Sequence, residues 1–64
     1  MAKSSREVIR LLEQNGWFEV GQTGSHKHFK HRLRKGKVTV PHPRKDLSIK
    51  TLKSIEVQSG IDLT

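Results

Sequence analysis

The spacing of the apolar residues changes twice along the chain, and this change limits the folds that are open to it. Near the two ends, apolar side chains recur three or four residues apart, as on one face of a helix: Val8, Leu11, Leu12, Ile49, Leu52 and Ile55. Between these segments they alternate with polar residues, as strands do: Phe18, Val20, Phe29, Val38 and Val40. The pattern predicts the element order α-β-β-β-α.

Local signals indicate where the first elements begin and end. Ser4 followed by Glu7 is a capping box, which predicts the start of the first helix. Gly16 supplies the left-handed residue with which helices commonly end. We expect turns between the strands at residues 21–24 and 34–36.

The ends of the third strand and of the second helix, together with the size of the core, favour one arrangement of the helices on the sheet. Pro41 ends the third strand because proline cannot continue a strand ladder, and Ser48 and Gly60 are the expected limits of the second helix. Hydrophobic residues make up 31% of the 64 residues, which is enough for one small core, so we predict a single domain over residues 1–64. The predicted fold class is α+β, with both helices packed on one face of a three-stranded antiparallel sheet.

Successive side chains of a strand point to opposite faces of the sheet, and this alternation, or parity, predicts which residues of the second strand reach the open face, the face that the helices do not cover. We expect Trp17 and Phe29 in the core rather than as platforms for nucleobases. With Phe29 directed inward, the residues on the open face are His26, His28, Lys30 and Arg32. The same parity turns Lys27 and His31 inward, and a bulge or a short strand would relieve this conflict.

The excess of positive charge is confined to the middle third of the chain. The formal net charge is +7, and residues 25–45 contain no acid at all. Their cations are Lys27, Lys30, Arg32, Arg34, Lys35, Lys37, Arg44 and Lys45. A segment with eight cations and no acid favours a polyanionic partner. Nucleic acid is favoured over a membrane surface, because a membrane-binding segment would be an amphipathic basic helix and these residues lack helical spacing.

Several classes of protein are excluded by composition. The chain has no cysteine, so it has neither a disulfide framework nor a thiolate metal site. Four histidines among many cations, with no carboxylate near them, are a poor divalent metal site, and we expect no metal or other cofactor. Neither a membrane span nor a signal peptide is expected, which favours a cytoplasmic location.

Acid–base catalysis on RNA is the catalytic chemistry that remains open to these residues. Surrounding cations disfavour a protonated imidazole at His26, so we expect a neutral ring that can act as a base. Such a base can take the proton of a ribose 2′-hydroxyl while lysine or arginine stabilises the phosphorane, and no metal is needed. From the residues alone, histidines that contact phosphate or simply lie on the surface are slightly favoured over catalytic ones.

An ordered set of motifs resembles the HicA family of type II toxin–antitoxin systems. The motifs are Gly24-Ser25-His26 followed by Phe29, Gly16-Trp17, Val38-Thr39-Val40-Pro41-His42, Asp46-Leu47, Thr51-Leu52 and Gln58-Ser59-Gly60-Ile61. The resemblance covers about Ser5 to Leu63. It implies a fold like the double-stranded-RNA-binding domain and a metal-independent endoribonuclease that cuts mRNA and inhibits translation. It also implies His26 as the catalytic residue, Gly24 and Ser25 shaping its turn, and a HicB-type antitoxin as partner.

Further residues are expected to contact the RNA backbone. They are His28, Lys30, Arg32, Lys37, His42, Arg44 and Lys45. Two other functions fit the same residues: a non-catalytic RNA-binding module, because related folds only bind RNA, and an inactive protein that binds an antitoxin.

Overall fold

The fold consists of two helices and three strands in the predicted order. The computed structural model describes residues 3–63. Its elements are α1 (Ser5–Gln14), β1 (Trp17–Thr23), β2 (His26–His31), β3 (Val38–Pro41) and α2 (Ile49–Ser59). The strands form one antiparallel sheet in the order β1-β2-β3. The predicted α+β class is therefore confirmed.

The core lies between the two helices and one face of the sheet. Its buried residues on α1, α2 and the three strands are Val8, Leu12, Leu52, Ile55, Trp17, Phe29, Val38 and Val40. In the strand register, Phe29 lies opposite Val38 and Lys27 lies opposite Val40, so the predicted parity of β2 is correct. Burying these large apolar side chains contributes roughly 1.5–3 kcal/mol each, which makes this face the main source of stability.

The inward parity of Lys27 and His31 is tolerated because both residues lie at the margin of the core. The ammonium of Lys27 forms an ion pair with Glu19 at 3.0 Å, and both side chains keep contact with solvent. The ring of His31 packs edge-on against Trp17, with ring centroids 5.2 Å apart. Both polar groups therefore have partners on the side of the sheet that the helices cover.

Helix α1 begins at the predicted capping box. The backbone N–H of Ser4 donates to Glu7 Oε1 at 3.0 Å, and the N–H of Glu7 donates to Ser4 Oγ at 3.2 Å. The hydrogen bond from the Ser4 backbone, followed by that with its side chain, lowers the pKa of Glu7 below 4.5. The ionised carboxylate thus stabilises the folded chain above the unfolded-state pKa, and this contribution disappears as the pH falls through the folded-state pKa.

Removing the cap is expected to weaken the helix measurably. Ser4→Ala leaves the N–H of Glu7 without its acceptor, and the expected loss is about 1 kcal/mol. In a domain of this size, thermal unfolding followed by circular dichroism should show Tm lower by about 4–8 °C. Ser54→Ala, at an exposed position inside α2, is the matched control and should change stability by less than about 0.5 kcal/mol. Equal Tm values for the two variants would contradict the capping box.

Strand β1 is longer than predicted, and the turn after it is shorter. The predicted turn at 21–24 is wrong for three of its four residues, because residues 21–23 continue β1 and pair with β2. The register shifts between Glu19 and Gly21, so Val20 occupies a β-bulge. A glycine in this position marks the bulge rather than a turn, and pairing resumes beyond it.

Strand β2 ends one residue earlier than predicted. Arg32, expected on the open face of the strand, lies instead in the loop at 32–37. His31 pairs with Trp17, the first residue of β1, so the ladder has no partner for Arg32, and the N–H of Leu33 donates instead to His31 Nδ1 at 3.0 Å. Within this loop, Arg34 packs over Gly60, where an added Cβ would lie 2.6 Å from its Nη1. A guanidinium at the C-terminal end of a helix is electrostatically favourable, so Arg34 has a structural role.

Helix α2 has the predicted caps but not the predicted buried face in its first turn. Ser48 accepts a hydrogen bond from the N–H of Thr51, and Gly60 is left-handed with φ +75°. Ile49, expected in the buried stripe, is 57% exposed, whereas Leu47 is buried. Leu47 precedes the N-cap, where an apolar side chain packs toward the first turn as a hydrophobic staple. Leu47 thus takes the place in the core that the pattern assigned to Ile49.

Candidate functional site

The Gly24-Ser25-His26 segment is the tight turn that joins β1 to β2. Thr23 and His26 are paired, so the loop between them has only two residues. Gly24 has φ +57° while Ser25 has a negative φ, which is the arrangement of a type II′ turn with glycine in the first position. The motif therefore has a physical explanation: glycine permits the turn, and the turn makes His26 the first residue of β2.

A third strand holds the same corner of the sheet. His26 lies opposite Pro41 of β3, and the N–H of His42 donates to the Ser25 carbonyl at 2.7 Å. The backbone around His26 is therefore fixed on both sides by hydrogen bonds to neighbouring strands. Preorganised backbone of this kind positions a functional side chain without constraining its ring.

The ring of His26 is exposed on the open face and makes no hydrogen bond or ion pair with any residue in the range 3–63. The open face is the side of the sheet opposite the helices, and by register it includes Phe18, Thr23, His28, Lys30 and Thr39. Neither ring nitrogen of His26 is engaged by this part of the chain. The prediction that His26 reaches the open face is confirmed.

His28 lies at the centre of the open face but is held by its neighbours. Its Nδ1 is 3.1 Å from Thr39 Oγ1, and its Nε2 is 3.2 Å from Thr23 Oγ1. The ring thus bridges β1 and β3 across β2. A phosphate can approach His28 only by competing with the two threonine hydroxyls, so its local role is to brace the sheet beneath the open face.

His31 belongs to the helix side of the sheet and away from His26. Its Nε2 donates to the Asn15 carbonyl at 2.9 Å, and its Nδ1 accepts from the Leu33 N–H. Because a carbonyl only accepts and an N–H only donates, these contacts require the neutral ring with its proton on Nε2. His31 therefore joins the end of α1 to the end of β2 and takes no part in the open face.

His42 is directed toward α1 rather than toward the open face. Its Nδ1 is 2.7 Å from the hydroxyl of Ser5, which is 1% exposed. The same hydroxyl lies 2.9 Å from the Arg44 N–H and 3.2 Å from the Arg44 carbonyl. A hydroxyl donates once and accepts twice, so all three contacts are satisfied only if His42 Nδ1 carries a proton. This assignment leaves His42 Nε2 as the nitrogen available to a ligand.

The predicted cations do not form a single cluster. Arg44 and Lys45 follow His42 and, with Arg6, line a pocket of about 420 Å³ beside the start of α1. By contrast, Lys30 lies near the opposite end of β2, and Arg32 and Lys37 lie in the loop beyond it. The two ends of this six-residue strand are about 17 Å apart at about 3.3 Å per residue. Six of the seven predicted contacts are thereby divided between the His26 end of the sheet and its far end, and the seventh, His28, lies between them.

Two features of the site were not recognised in the sequence. Phe18 and Val20 are 45% and 48% exposed, because Trp17 takes the inward position on β1 and the bulge follows. The alternation of Phe18 and Val20 indicated a strand but not which face of it is buried; the adjacent Trp17 was the available signal. The Ser5 hydroxyl was also missed, because a serine in a first helical turn gives no sign of a contact with a residue 37 positions away.

Neither a metal centre nor a membrane span is present in the described part of the chain. Residues 3–63 include no group of three or more His, Asp or Glu side chains placed to hold a metal ion. No helix in this range is long and apolar enough to cross a membrane.

Comparison with known proteins gives one family. A family model described as the HicA toxin of bacterial toxin-antitoxin systems matches residues 5–61, which include all five helices and strands. No curated protein matches the chain. The matched range also contains the tight turn, His26 and the whole open face.

Proposed function

The chain belongs to the HicA toxin family, whose members act in bacterial toxin–antitoxin systems, and we propose that it exerts its toxicity by cutting single-stranded mRNA without a metal ion. In this proposal it is an endoribonuclease that stops translation by destroying the message. Its substrate would place it in the cytoplasm.

The observation that carries the proposal is the difference between His26 and the other three histidines. His28, His31 and His42 are each engaged with protein groups through one or both ring nitrogens. His26 is exposed and, among the residues described, has no such partner. A general base must reach the proton that it removes, and of the four rings His26 meets this condition best.

The proposed reaction is a transesterification within the RNA. His26 takes the proton of a ribose 2′-hydroxyl, and the oxygen attacks the adjacent phosphorus to form the new O–P bond. The bond from phosphorus to the 5′-oxygen of the next nucleotide breaks, and that oxygen takes a proton from water or from a protonated side chain. The products are a 2′,3′-cyclic phosphate and a free 5′-hydroxyl, so atoms and charges balance without a redox partner.

Two sets of cations are proposed to hold the RNA backbone. Arg44, Lys45 and the free Nε2 of His42 would bind phosphate near the cleaved bond, because His42 is hydrogen-bonded to the Ser25 backbone. The second set, at the far end of the sheet, comprises Lys30, Arg32 and Lys37. Cations fixed near the phosphorane stabilise its negative charge, and those further away contribute to binding.

The partner implied by the family is an antitoxin, and we propose a HicB-type protein with an acidic surface that covers the open face. Carboxylates of such a partner would be complementary to the basic residues there, and charge complementarity speeds association. Covering His26 would exclude RNA from the site.

Cleavage of purified single-stranded RNA in excess chelator tests the proposed activity. We expect cleavage to continue in chelator and to leave 2′,3′-cyclic phosphate ends, and a matched strand with 2′-deoxyribose throughout to remain intact. Binding of RNA without cleavage would contradict the nuclease and indicate an RNA-binding module. Cleavage that requires a divalent metal, or cleavage of the deoxy strand, would contradict the mechanism.

A further inference from the structure

The open face carries an exposed aromatic ring that the proposed reaction does not use. The chain has three aromatic side chains of the Phe, Trp and Tyr types, and Trp17 and Phe29 are buried in the core. Phe18 is 45% exposed, lies on β1 and is directed to the same face as His26. Exposure of the apolar phenylalanine ring to water is unfavourable, so covering the ring with a ligand contributes favourably to the free energy of binding.

The charges around Phe18 favour an anionic ligand. In the register, Phe18 lies directly opposite Lys30, whose side chain is exposed. No Asp or Glu occurs among the open-face residues of β1, β2 and β3, since Glu19 is directed to the other side and paired with Lys27. An aromatic ring beside an ammonium group, on a face without acids, is suited to a base and phosphate of the same strand.

We propose that Phe18 is a stacking platform for a nucleobase of the RNA, with Lys30 bound to a neighbouring phosphate. The inference rests on the proposed function, because it takes single-stranded RNA as the ligand. Stacking on an aromatic ring contributes about 1–3 kcal/mol per base and tolerates any sequence, because every base has a π face.

The position of Phe18 determines which part of the RNA it contacts. His26 and Lys30 are four residues apart on β2, which is about 13 Å at about 3.3 Å per residue. The base on Phe18 therefore belongs to a nucleotide that flanks the cleaved bond, not to the one whose 2′-hydroxyl is activated. Phe18 fixes the register of the strand, and the exposed Val20 beside it extends the apolar surface.

Binding of an uncleavable strand isolates this role from catalysis. The probe is a fluorescent single-stranded oligonucleotide with 2′-O-methyl groups throughout, and the readout is its Kd at one fixed salt concentration. Phe18→Ala and Phe18→Leu should weaken binding by roughly 5- to 150-fold, whereas Phe18→Trp should retain it. Val57→Ala, an exposed apolar position on α2, is the matched control and should leave Kd unchanged. Circular dichroism of each variant verifies the fold.

A second probe tests for the base itself. An abasic strand of the same length has the phosphates but nothing to stack, so Phe18→Ala should not weaken its binding. The proposal is wrong if Phe18→Ala binds the base-containing strand as the wild type does, if Phe18→Leu restores binding, or if both probes lose affinity equally. It is also wrong if the wild type binds neither probe, or if Phe18→Ala impairs only neutralisation by the antitoxin.

Failure of the proposed nuclease has a different signature. A protein that binds the 2′-O-methyl strand through Phe18 but leaves ordinary RNA intact contradicts the nuclease and supports the stacking platform. A protein that cuts RNA and binds equally well without Phe18 contradicts only the platform.

Discussion

His26→Gln should reduce RNA cleavage by about 10²–10⁴-fold while the protein remains folded. Glutamine can still form hydrogen bonds with the RNA but cannot accept a proton from the 2′-hydroxyl at neutral pH. The side chain of His26 is exposed and forms no hydrogen bond or ion pair with residues 3–63, so its replacement removes none from this part of the fold. Single-turnover cleavage of labelled RNA gives the rate, and thermal unfolding should give an unchanged Tm.

The matched control is another histidine on the same face of the same strand. His28→Gln removes a ring that bridges two threonine hydroxyls, and glutamine can replace part of this hydrogen bonding. The expected loss of rate is less than about tenfold, because loss of one hydrogen bond of about 1 kcal/mol weakens the sheet but removes no reacting group. If His28→Gln abolished cleavage and His26→Gln did not, the roles of the two histidines would be reversed.

The same pair of variants tests the activity in cells. Induction of the wild-type chain without an antitoxin should arrest growth while intact mRNA disappears. His26→Gln at equal expression should restore both growth and mRNA, and His28→Gln should remain toxic. Growth arrest by His26→Gln at that expression level would show that toxicity does not depend on this ring.

Gly16→Ala should destabilise the fold more than any other glycine substitution with the same backbone geometry. Gly16 has φ +91°, where an alanine is strained by about 1–2 kcal/mol. Its Cβ would also lie 2.6 Å from His31 Nε2, the atom that donates to the Asn15 carbonyl. Displacing this ring breaks its hydrogen bonds with Asn15 and Leu33, at about 1 kcal/mol each. The sum of about 3–4 kcal/mol should lower Tm by more than about 10 °C.

Gly36 offers the control, because it has the same φ of +91° with nothing within 4 Å of an added Cβ. Gly36→Ala should therefore lower stability only through the backbone strain, about 1–2 kcal/mol. The alanine also makes the unfolded chain less flexible, and this partly offsetting effect is the same in both variants. In a His31→Ala background the obstacle is removed, and Gly16→Ala should then cost no more than Gly36→Ala. An undiminished cost in that background would mean that the contact with His31 is not the cause.

Most of the fold was predictable because its signals are local. The capping box of Ser4 and Glu7, the left-handed Gly60 and the parity around Phe29 each act within a few residues, and all three predictions are confirmed. Errors occurred where tertiary packing chooses between local options. Ile49 has the helical spacing of a core residue, but Leu47 takes its place in the core.

The candidate site was predictable in part for the same reason. Alternation around Phe29 predicted that His26 lies on the open face, which is confirmed, whereas its choice among the histidines came from the resemblance to the HicA family. The division of the cations into two groups was not predictable, since it depends on where β2 ends. That end lies where β1 begins, because His31 pairs with Trp17 and the ladder holds no partner for Arg32.

By itself the sequence determined the order of the elements, the basic character of the middle segment and the presence, though not the extent, of a turn before His26, because periodicity, charge and turn geometry are properties of neighbouring residues. Only the tertiary structure decided which of four histidines remains unengaged and that Phe18 is directed outward. These outcomes depend on partners far away in sequence, such as Ser5 for His42 and Thr39 for His28, which pair only when the sheet and helices have packed.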